Sequence, residues 1–337
     1  MENLIDDFLD AVSKFTPAEN SAWGAVFGAL IGDAAGARLE FIGRKPTASE
    51  VSDALQLKGG GTFGVAPGQV TDDGELTVAL LHAIDKGSGK YIPDFAAEAY
   101  VDWAYSNPFD MGNATSSALR TGGLADASVI SRRAREHNKD SQANGGLMRA
   151  TPLVVATASL SDEETSEICY ADTKLTHPHI VCQHATAAYV LAIRQLMHSP
   201  SNRPGAFTTA EMFLSGLLSE PYEWLMEAKE SQTLIAAWPN AGHVKIAFMH
   251  AFYHLHKENS FISSLTETLL EGGDTDTNAC IVGGLIGAAR GVTGLLAKPR
   301  TEKMVHTLLY ADTSLGQIRP ERFHPASVIS IMRSIRF

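Results

Sequence analysis

The sequence predicts an all-α protein, and three observations lead to this fold class. Apolar residues recur at intervals of three and four along most of the 337 residues, which is the spacing of one helix face. Alternation of apolar and polar residues, the pattern of a half-buried strand, is hard to find. No linker rich in Pro, Gly or Ser divides the chain. We therefore predict one all-α domain over residues 19–337, preceded by a helical N-terminal arm over residues 1–18.

The arm is the first predicted element. Its apolar residues have helical spacing: Leu4, Ile5, Phe8, Leu9, Val12 and Phe15. Two interpretations are open, since this face can pack on the surface of the domain or can bind a partner protein. The helices predicted within the domain cover residues 22–39, 76–84, 92–105, 180–197, 210–227, 243–256, 261–270 and 281–296.

Two of these helices carry glycines at regular spacing. The first has glycine at every fourth position: Gly24, Gly28, Gly32 and Gly36. The last repeats the pattern with Gly283, Gly287 and Gly291. Four-residue spacing places the glycines on one helix face, where another backbone can approach closely. Because glycine destabilises a helix interior, the pattern indicates tight packing at these faces.

Composition and charge exclude several classes of protein. The formal net charge is −11 and no basic run is present, so we expect no nucleic-acid binding. The longest uncharged run, residues 175–193, contains three His and one Pro, which makes it a poor membrane span. The N-terminus is acidic and lacks the apolar core of a signal peptide, and the three Cys have no C-x-x-C spacing. These features predict a soluble cytoplasmic protein.

Two acidic motifs open predicted helices. Thr71-Asp72-Asp73-Gly74-Glu75 precedes one helix, and the Gly-Gly-Asp-Thr-Asp-Thr of residues 272–277 precedes another. Helix capping explains either motif alone, because Asp72 with Glu75 makes a capping box and Thr275 or Asp276 makes an N-cap. A cap needs one oxygen acceptor, however, and each motif offers two carboxylates beside a hydroxyl. Such oxygen ligands suit Mg²⁺, Mn²⁺ or Ca²⁺, and two clusters that meet in space would form a two-metal site.

Four further segments carry weaker signals. Asp33 lies on an apolar helix, where burial without a partner would be costly, whereas Glu40 fits a solvated helix end. The Gly pair in residues 144–152 can present N–H groups to a phosphate or can form a plain turn. The His pair in residues 176–179 lacks the spacing of a helical metal site and fits a structural role. Asp110 or Asn113 can cap the helix that runs towards Leu119.

Taken in chain order, these segments resemble the ADP-ribosylglycohydrolase family, the group that includes the dinitrogenase reductase-activating glycohydrolases. The matching segments are GALIGDAAGARLEF, TDD, PFDMGN, NGGLMRATP, THP and GGDTDT. They span most of the chain, from about Gly24 to Gly291. The resemblance implies a single-domain, all-α orthogonal helical bundle and the hydrolysis of the bond between ADP-ribose and a modified protein side chain.

The resemblance also implies roles for individual residues. It implies two Mg²⁺ or Mn²⁺ ions with these ligands: Thr71, Asp72, Asp73, Asp274, Asp276 and Thr277. It implies substrate contacts from Asn144, Gly145, Gly146, Met148 and His177. Glu40 matches a mobile glutamate near the cleaved bond in some members, and Asp33 matches a position behind the metal ligands. We take Glu40, Asp73 and Asp274 as candidate catalytic groups.

Several alternatives stay open. Many relatives have a hydroxyl residue where this chain has Gly74, which leaves metal preference undetermined. Arginine is the favoured modified residue, and a serine linkage is the alternative. A third interpretation is an immunity-type protein that also binds an ADP-ribosyltransferase through the N-terminal arm. A non-catalytic descendant is disfavoured because all four aspartates are present.

Overall fold

A computed structural model describes residues 2–238 and 240–335. Within these residues the chain is helical and contains two isolated β-bridges but no strand, which confirms the predicted all-α class. The helices are α1 (Glu2–Ala11), α2 (Pro17–Gly36), α3 (Ala48–Ala54), α4 (Asp72–Lys86), α5 (Pro93–Ala104), α6 (Asn113–Leu119), α7 (Ala127–His137), α8 (Leu153–Ala156), α9 (Asp162–Thr173), α10 (Ile180–His198), α11 (Arg203–Leu217), α12 (Glu220–Glu230), α13 (Val244–His256), α14 (Phe261–Leu270), α15 (Thr275–Arg290), α16 (Val292–Leu296), α17 (Pro299–Leu309) and α18 (Ser327–Ser334). No helix in the described part of the chain has the length and apolarity of a membrane span.

The centre of the fold is an antiparallel pair formed by α2 and α15. Their glycine faces meet, and a Cβ atom built on Gly28 would lie 2.1 Å from the carbonyl oxygen of Gly283. At the far end of α2, a Cβ on Gly36 would lie 2.4 Å from the Cα of Asp276. The two backbones are therefore in direct contact, as the glycine spacing predicts. This contact places the end of α2 beside the first turn of α15.

The N-terminal arm packs on the rest of the chain. Ile5 and Phe8 of α1 are fully buried. The ring of Phe8 lies 4.8 Å from the ring of Trp23 and 5.4 Å from that of Phe27, measured between centroids. Because α2 begins at Pro17, the boundary predicted at residue 18 falls within its first turn. That boundary stays a prediction, but the apolar face of the arm is occupied by the protein's own core.

Two predicted helices are wrong in extent. The stretch 210–227 forms parts of α11 and α12, which are separated at Leu218, where the backbone turns left-handed with a φ of 47°. The stretch 281–296 is likewise divided, because Gly291 has a φ of 69° and ends α15. Both segments keep an apolar period across the break, so periodicity alone does not show it. Helices α3, α7, α8, α9, α17 and α18 lie outside the predicted set.

Candidate active site

The two acidic motifs meet in one cleft of about 560 Å³. The first turns of α4 and α15 supply Asp72 and Asp276, and Asp274 lies directly before α15. Glu40, four residues beyond the end of α2, also lines this cleft. We call this cavity the acidic cleft. It brings together carboxylates that are more than 200 positions apart in the sequence.

Hydrogen bonds tie the two motifs to each other. The hydroxyl oxygen of Thr71 lies 2.8 Å from a carboxylate oxygen of Asp33 and 3.2 Å from one of Asp276. The hydroxyl oxygen of Thr277 lies 3.3 Å from a carboxylate oxygen of Asp73. All these residues are buried, and Asp73 is fully inaccessible. The threonines therefore lie between the carboxylates and separate them.

Helix capping does not explain the acidic motifs. The N-cap residue of α4 is Thr71 and that of α15 is Asp274, and neither side chain caps its helix. The predicted capping box between Asp72 and Glu75 and the predicted cap by Thr275 or Asp276 are therefore wrong. One carboxylate oxygen of Asp73 is buried without a hydrogen-bond partner within the described residues. An unpaired buried oxygen of this kind fits a ligand from outside the chain.

The carboxylates of the cleft are electrostatically uncompensated. Burial, followed by repulsion from neighbouring carboxylates, raises the pKa of Asp72 and Asp73 well above the usual value. Burial, followed by repulsion from Glu40 and then Asp73, does the same to the pKa of Asp276. Burial also raises the pKa of Asp33 to about 7. A bound cation would remove this repulsion, so the residues present fit a divalent ion.

Two groups of carboxylates have the spacing of a cation site. Asp33, Asp73 and Asp276 form one, and Glu40, Asp274 and Asp276 form the other, with the oxygens of each group within 4.8 Å of one another. Asp276 belongs to both groups. The ligand set implied by the resemblance stays a prediction, and the geometry adds Asp33 and Glu40 to its candidates.

Glu40 is not the solvated end of a helix, so that interpretation is wrong. Its side chain is 6% exposed, and one carboxylate oxygen accepts a hydrogen bond of 3.0 Å from the backbone N–H of Thr275. Burial, followed by repulsion from Asp274, raises the pKa of Glu40 to about 8. The contact is a direct result of the antiparallel α2–α15 pair, which joins the end of one helix to the start of the other.

The glycine segment after α7 also lines the cleft. Asn144, Gly145 and Gly146 form a 3-10 turn. The side-chain amide of Asn144 donates a hydrogen bond of 2.8 Å to a carboxylate oxygen of Asp274. Asn144, Gly145, Met148 and His177 line the cleft, whereas Gly146 lies behind it against Thr173. Four of the five predicted substrate-binding residues thus line the cleft, and their contacts with a substrate stay a prediction.

Asp110 is the acid that the sequence analysis missed. It is half-buried in the cleft, and burial with repulsion from Asp274 raises its pKa to about 6. The expected capping role for Asp110 or Asn113 is wrong, because α6 has Gly112 at its N-cap position and no side-chain cap. The match of the PFDMGN segment to the family was the available signal. Phe41 and Trp238 are both exposed at the cleft, and no feature of the sequence indicated that they lie there.

Steric contacts explain why position 74 is occupied by glycine. Its backbone N–H donates a hydrogen bond of 2.7 Å to Asp33, and an added Cβ would lie 2.6 Å from the same carboxylate and 2.6 Å from Val70. Any larger residue at position 74 would require Asp33 or Val70 to move. Gly74 therefore allows Asp33 to approach the first turn of α4.

Glu75 anchors the same turn from behind. Its carboxylate accepts hydrogen bonds of 2.8 Å from the guanidinium of Arg319 and of 2.7 Å from the indole of Trp103. Glu75 and Arg319 are both nearly buried, and the guanidinium also bonds to the carbonyl of Ser106. Glu75 is therefore fully paired and structural.

Comparison with known proteins gives a consistent assignment. A family model described as ADP-ribosylglycohydrolase matches residues 16–316. A protein of Acanthamoeba polyphaga mimivirus, named provisionally as ADP-ribosyl glycohydrolase L543, is 31% identical over 290 residues, which cover 80% of this chain and 87% of the relative. The ADP-ribosyl-[dinitrogen reductase] glycohydrolase of Rhodospirillum rubrum is 25% identical and covers 80% of this chain and 86% of its own length.

Two further similarities concern a named activity and the fold. The ADP-ribosylarginine hydrolase Tri1 of Pseudomonas putida is 27% identical over 287 residues, which cover 82% of this chain and 72% of the relative. A solved structure named "ADP-ribosylglycohydrolase-related protein complex" has a TM-score of 0.67 at 23% identity. The match covers 87% of this chain and 97% of that structure, and it confirms the fold.

Proposed function

Because this chain belongs to the ADP-ribosylglycohydrolase family and is a glycosidic hydrolase, we propose that it removes ADP-ribose from an arginine side chain of a modified protein. One observation carries the proposal. Asp72, Asp274 and Asp276 line a single cleft, and Asp73 lies directly behind it within 3.3 Å of the hydroxyl of Thr277, although these acids come from two distant segments. The arginine linkage is favoured because one relative is named an ADP-ribosylarginine hydrolase.

We further propose that two divalent cations, Mg²⁺ or Mn²⁺, bind in the acidic cleft. The supporting features are the unpaired oxygen of Asp73, the raised pKa values and the two carboxylate groups that share Asp276. Asp72, Thr71 and Thr277 complete the proposed ligands. Such cations would neutralise the carboxylates and polarise oxygen atoms at the reacting end of the substrate.

The residues of the chain itself account for binding and proton transfer. In the proposed reaction the bond between the anomeric carbon and the arginine nitrogen breaks, and water adds its hydroxyl to the carbon and its proton to the nitrogen. Glu40, Asp73 and Asp274 are the candidate bases for the attacking water. The turn at Gly145 lines the same cleft, so its N–H groups are candidates to bind acceptor oxygens of ADP-ribose.

An activity assay on defined peptides tests the proposal. The protein is offered ADP-ribosyl-arginine and ADP-ribosyl-serine peptides with Mg²⁺, with Mn²⁺ or with EDTA, and free ADP-ribose is measured. We expect release from the arginine peptide that depends on the added ion and is abolished in Asp276→Asn. Asp53→Asn, at an exposed surface pair with Lys58, is the matched control and should retain full activity.

Three results would contradict the proposal in separate ways. Cleavage of only the serine peptide would overturn the arginine assignment. Full activity in excess EDTA would overturn the cation requirement. Unchanged activity of Asp276→Asn would remove the acidic cleft from the reaction altogether. The interpretation as an immunity protein with a partner-binding arm has weaker support, because Ile5 and Phe8 of the arm are buried in the protein itself.

A further inference from the structure

A buried hydrogen-bonded chain lies behind the cleft. Arg149 is fully buried, pairs with Asp172 and lies over the ring of Tyr100, with 4.3 Å between the guanidinium carbon and the ring centroid. One guanidinium nitrogen of Arg149 donates a hydrogen bond of 2.9 Å to the hydroxyl oxygen of Thr176. The same hydroxyl lies 2.8 Å from Nδ1 of His177, which lines the cleft. Neither the proposed cation binding nor the proposed proton transfer involves Arg149, Asp172 or Thr176.

The direction of each hydrogen bond follows from the donors available. A guanidinium has no acceptor, so Arg149 must donate to Thr176. Thr176 is fully buried, and within the described residues its hydroxyl contacts only Arg149 and His177. If His177 also donated to that oxygen, the hydroxyl proton would be left without an acceptor, which is costly in a buried site. The proton of Thr176 therefore points to Nδ1 of His177.

This assignment determines the form of the imidazole. Nδ1 accepts a hydrogen bond, so the proton of the neutral ring lies on Nε2. Burial and the charge of Arg149 lower the pKa of His177 to about 3, which keeps the ring neutral. Among residues 2–238 and 240–335 no group is hydrogen-bonded to Nε2. The absence of a side chain at Gly145 makes room for this ring, since a Cβ at that position would lie 2.7 Å from Cε1 and 3.0 Å from Nε2 of His177.

The geometry points to a positioning role for Arg149 and Thr176: they fix His177 as the tautomer that presents an Nε2–H donor to an acceptor oxygen of ADP-ribose in the cleft. The identity of that ligand rests on the proposed function, whereas the tautomer does not. The same assignment excludes His177 as the base for the attacking water, because Nε2 already carries its proton. The base must then be one of the carboxylates.

The tautomer can be measured directly. Protein labelled with ¹⁵N at histidine gives two ring-nitrogen signals per His in a long-range ¹H–¹⁵N correlation spectrum, and His177→Asn assigns those of His177. We expect a protonated Nε2 and an unprotonated Nδ1 in the wild type. Thr176→Val should lose this preference, Thr176→Ser should restore it, and Thr157→Val is a control that removes an equally buried hydroxyl elsewhere.

Binding of ADP-ribose supplies the second measurement. By calorimetry we expect Thr176→Val to bind ADP-ribose about tenfold more weakly, because the charge-assisted hydrogen bond from Nε2–H of His177 to the ligand is lost. In steady-state kinetics the same variant should raise KM more than it lowers kcat. Thr176→Ser and Thr157→Val should bind as the wild type does. A wild-type His177 protonated at Nδ1 would overturn the inference even if no variant folds, and so would unchanged binding by Thr176→Val. If the tautomer changes as expected but even the wild type does not bind ADP-ribose, the proposed function fails and the positioning role stands.

Discussion

Replacing Gly32 by Ala tests whether the contact between α2 and α15 builds the acidic cleft. The added Cβ would lie 1.9 Å from the carbonyl oxygen of Ala279 and 2.4 Å from its carbon. Ordinary contacts begin near 3.4 Å, so the helices must separate by about 1.5 Å at this point. We expect a loss of about 3 kcal/mol or more in the free energy of unfolding, since a backbone cannot adjust as a flexible side chain can.

The same displacement should weaken cation binding. Asp33 follows Gly32 directly and belongs to the same carboxylate group as Asp276 on the opposing helix. Urea unfolding measures the stability, and titration with Mn²⁺ measures the affinity. Gly216→Ala is the matched control, because that helical glycine has nothing within 4 Å of an added Cβ. A Gly32→Ala protein with the wild-type unfolding midpoint and Mn²⁺ affinity would refute the reasoning.

Two other predictions concern pH and the N-terminal arm. In EDTA the melting temperature should fall as the pH rises from about 5 to about 8.5. Folding raises the pKa of Asp110 to about 6, that of Asp33 to about 7 and that of Glu40 to about 8. The folded state therefore holds these protons more tightly than the unfolded state, and stability is lost as the pH rises through these values. Added Mg²⁺ should suppress this decline, and an equal decline with and without Mg²⁺ would contradict the prediction. Phe8→Ala should cost about 3–5 kcal/mol in urea unfolding, because the ring is fully buried. Met212→Ala, at an exposed side chain, should cost little, and equal costs would show that the arm does not stabilise the domain.

The sequence predicts the parts of this fold that depend on spacing along one helix. The glycines at four-residue intervals in α2 and α15 predict a close backbone approach because helix geometry alone puts them on one face. The acids of the two motifs are also identifiable, since each lies beside the start of an apolar helix. Residue spacing does not predict which helix ends lie together in the folded protein. The burial of Glu40 against Thr275 is a consequence of that meeting.

The incorrect predictions have physical causes of the same kind. Leu218 takes a left-handed conformation that the apolar period does not signal, so two helices were predicted as one. Asp110 was assigned to capping because a single acid before a helix is ordinary in a sequence. Its pKa is raised by burial and then by repulsion from Asp274, which is 164 positions away in the chain, and both causes exist only in the folded protein. The network behind His177 was invisible for the same reason, because Arg149 and Thr176 meet only after folding.

The pairing of Glu75 with Arg319 has a consequence for synthesis of the chain. Glu75 lies in the same helical turn as Asp72 and Asp73, and its cationic partner follows 244 residues later. A ribosome that has made only the first 300 residues has already produced both acidic motifs, but the buried carboxylate behind one of them still lacks its guanidinium. The first turn of α4 therefore reaches its final anchorage only after residue 319 has been made, and a chain that stops shortly before this residue would have an acidic cleft without its support.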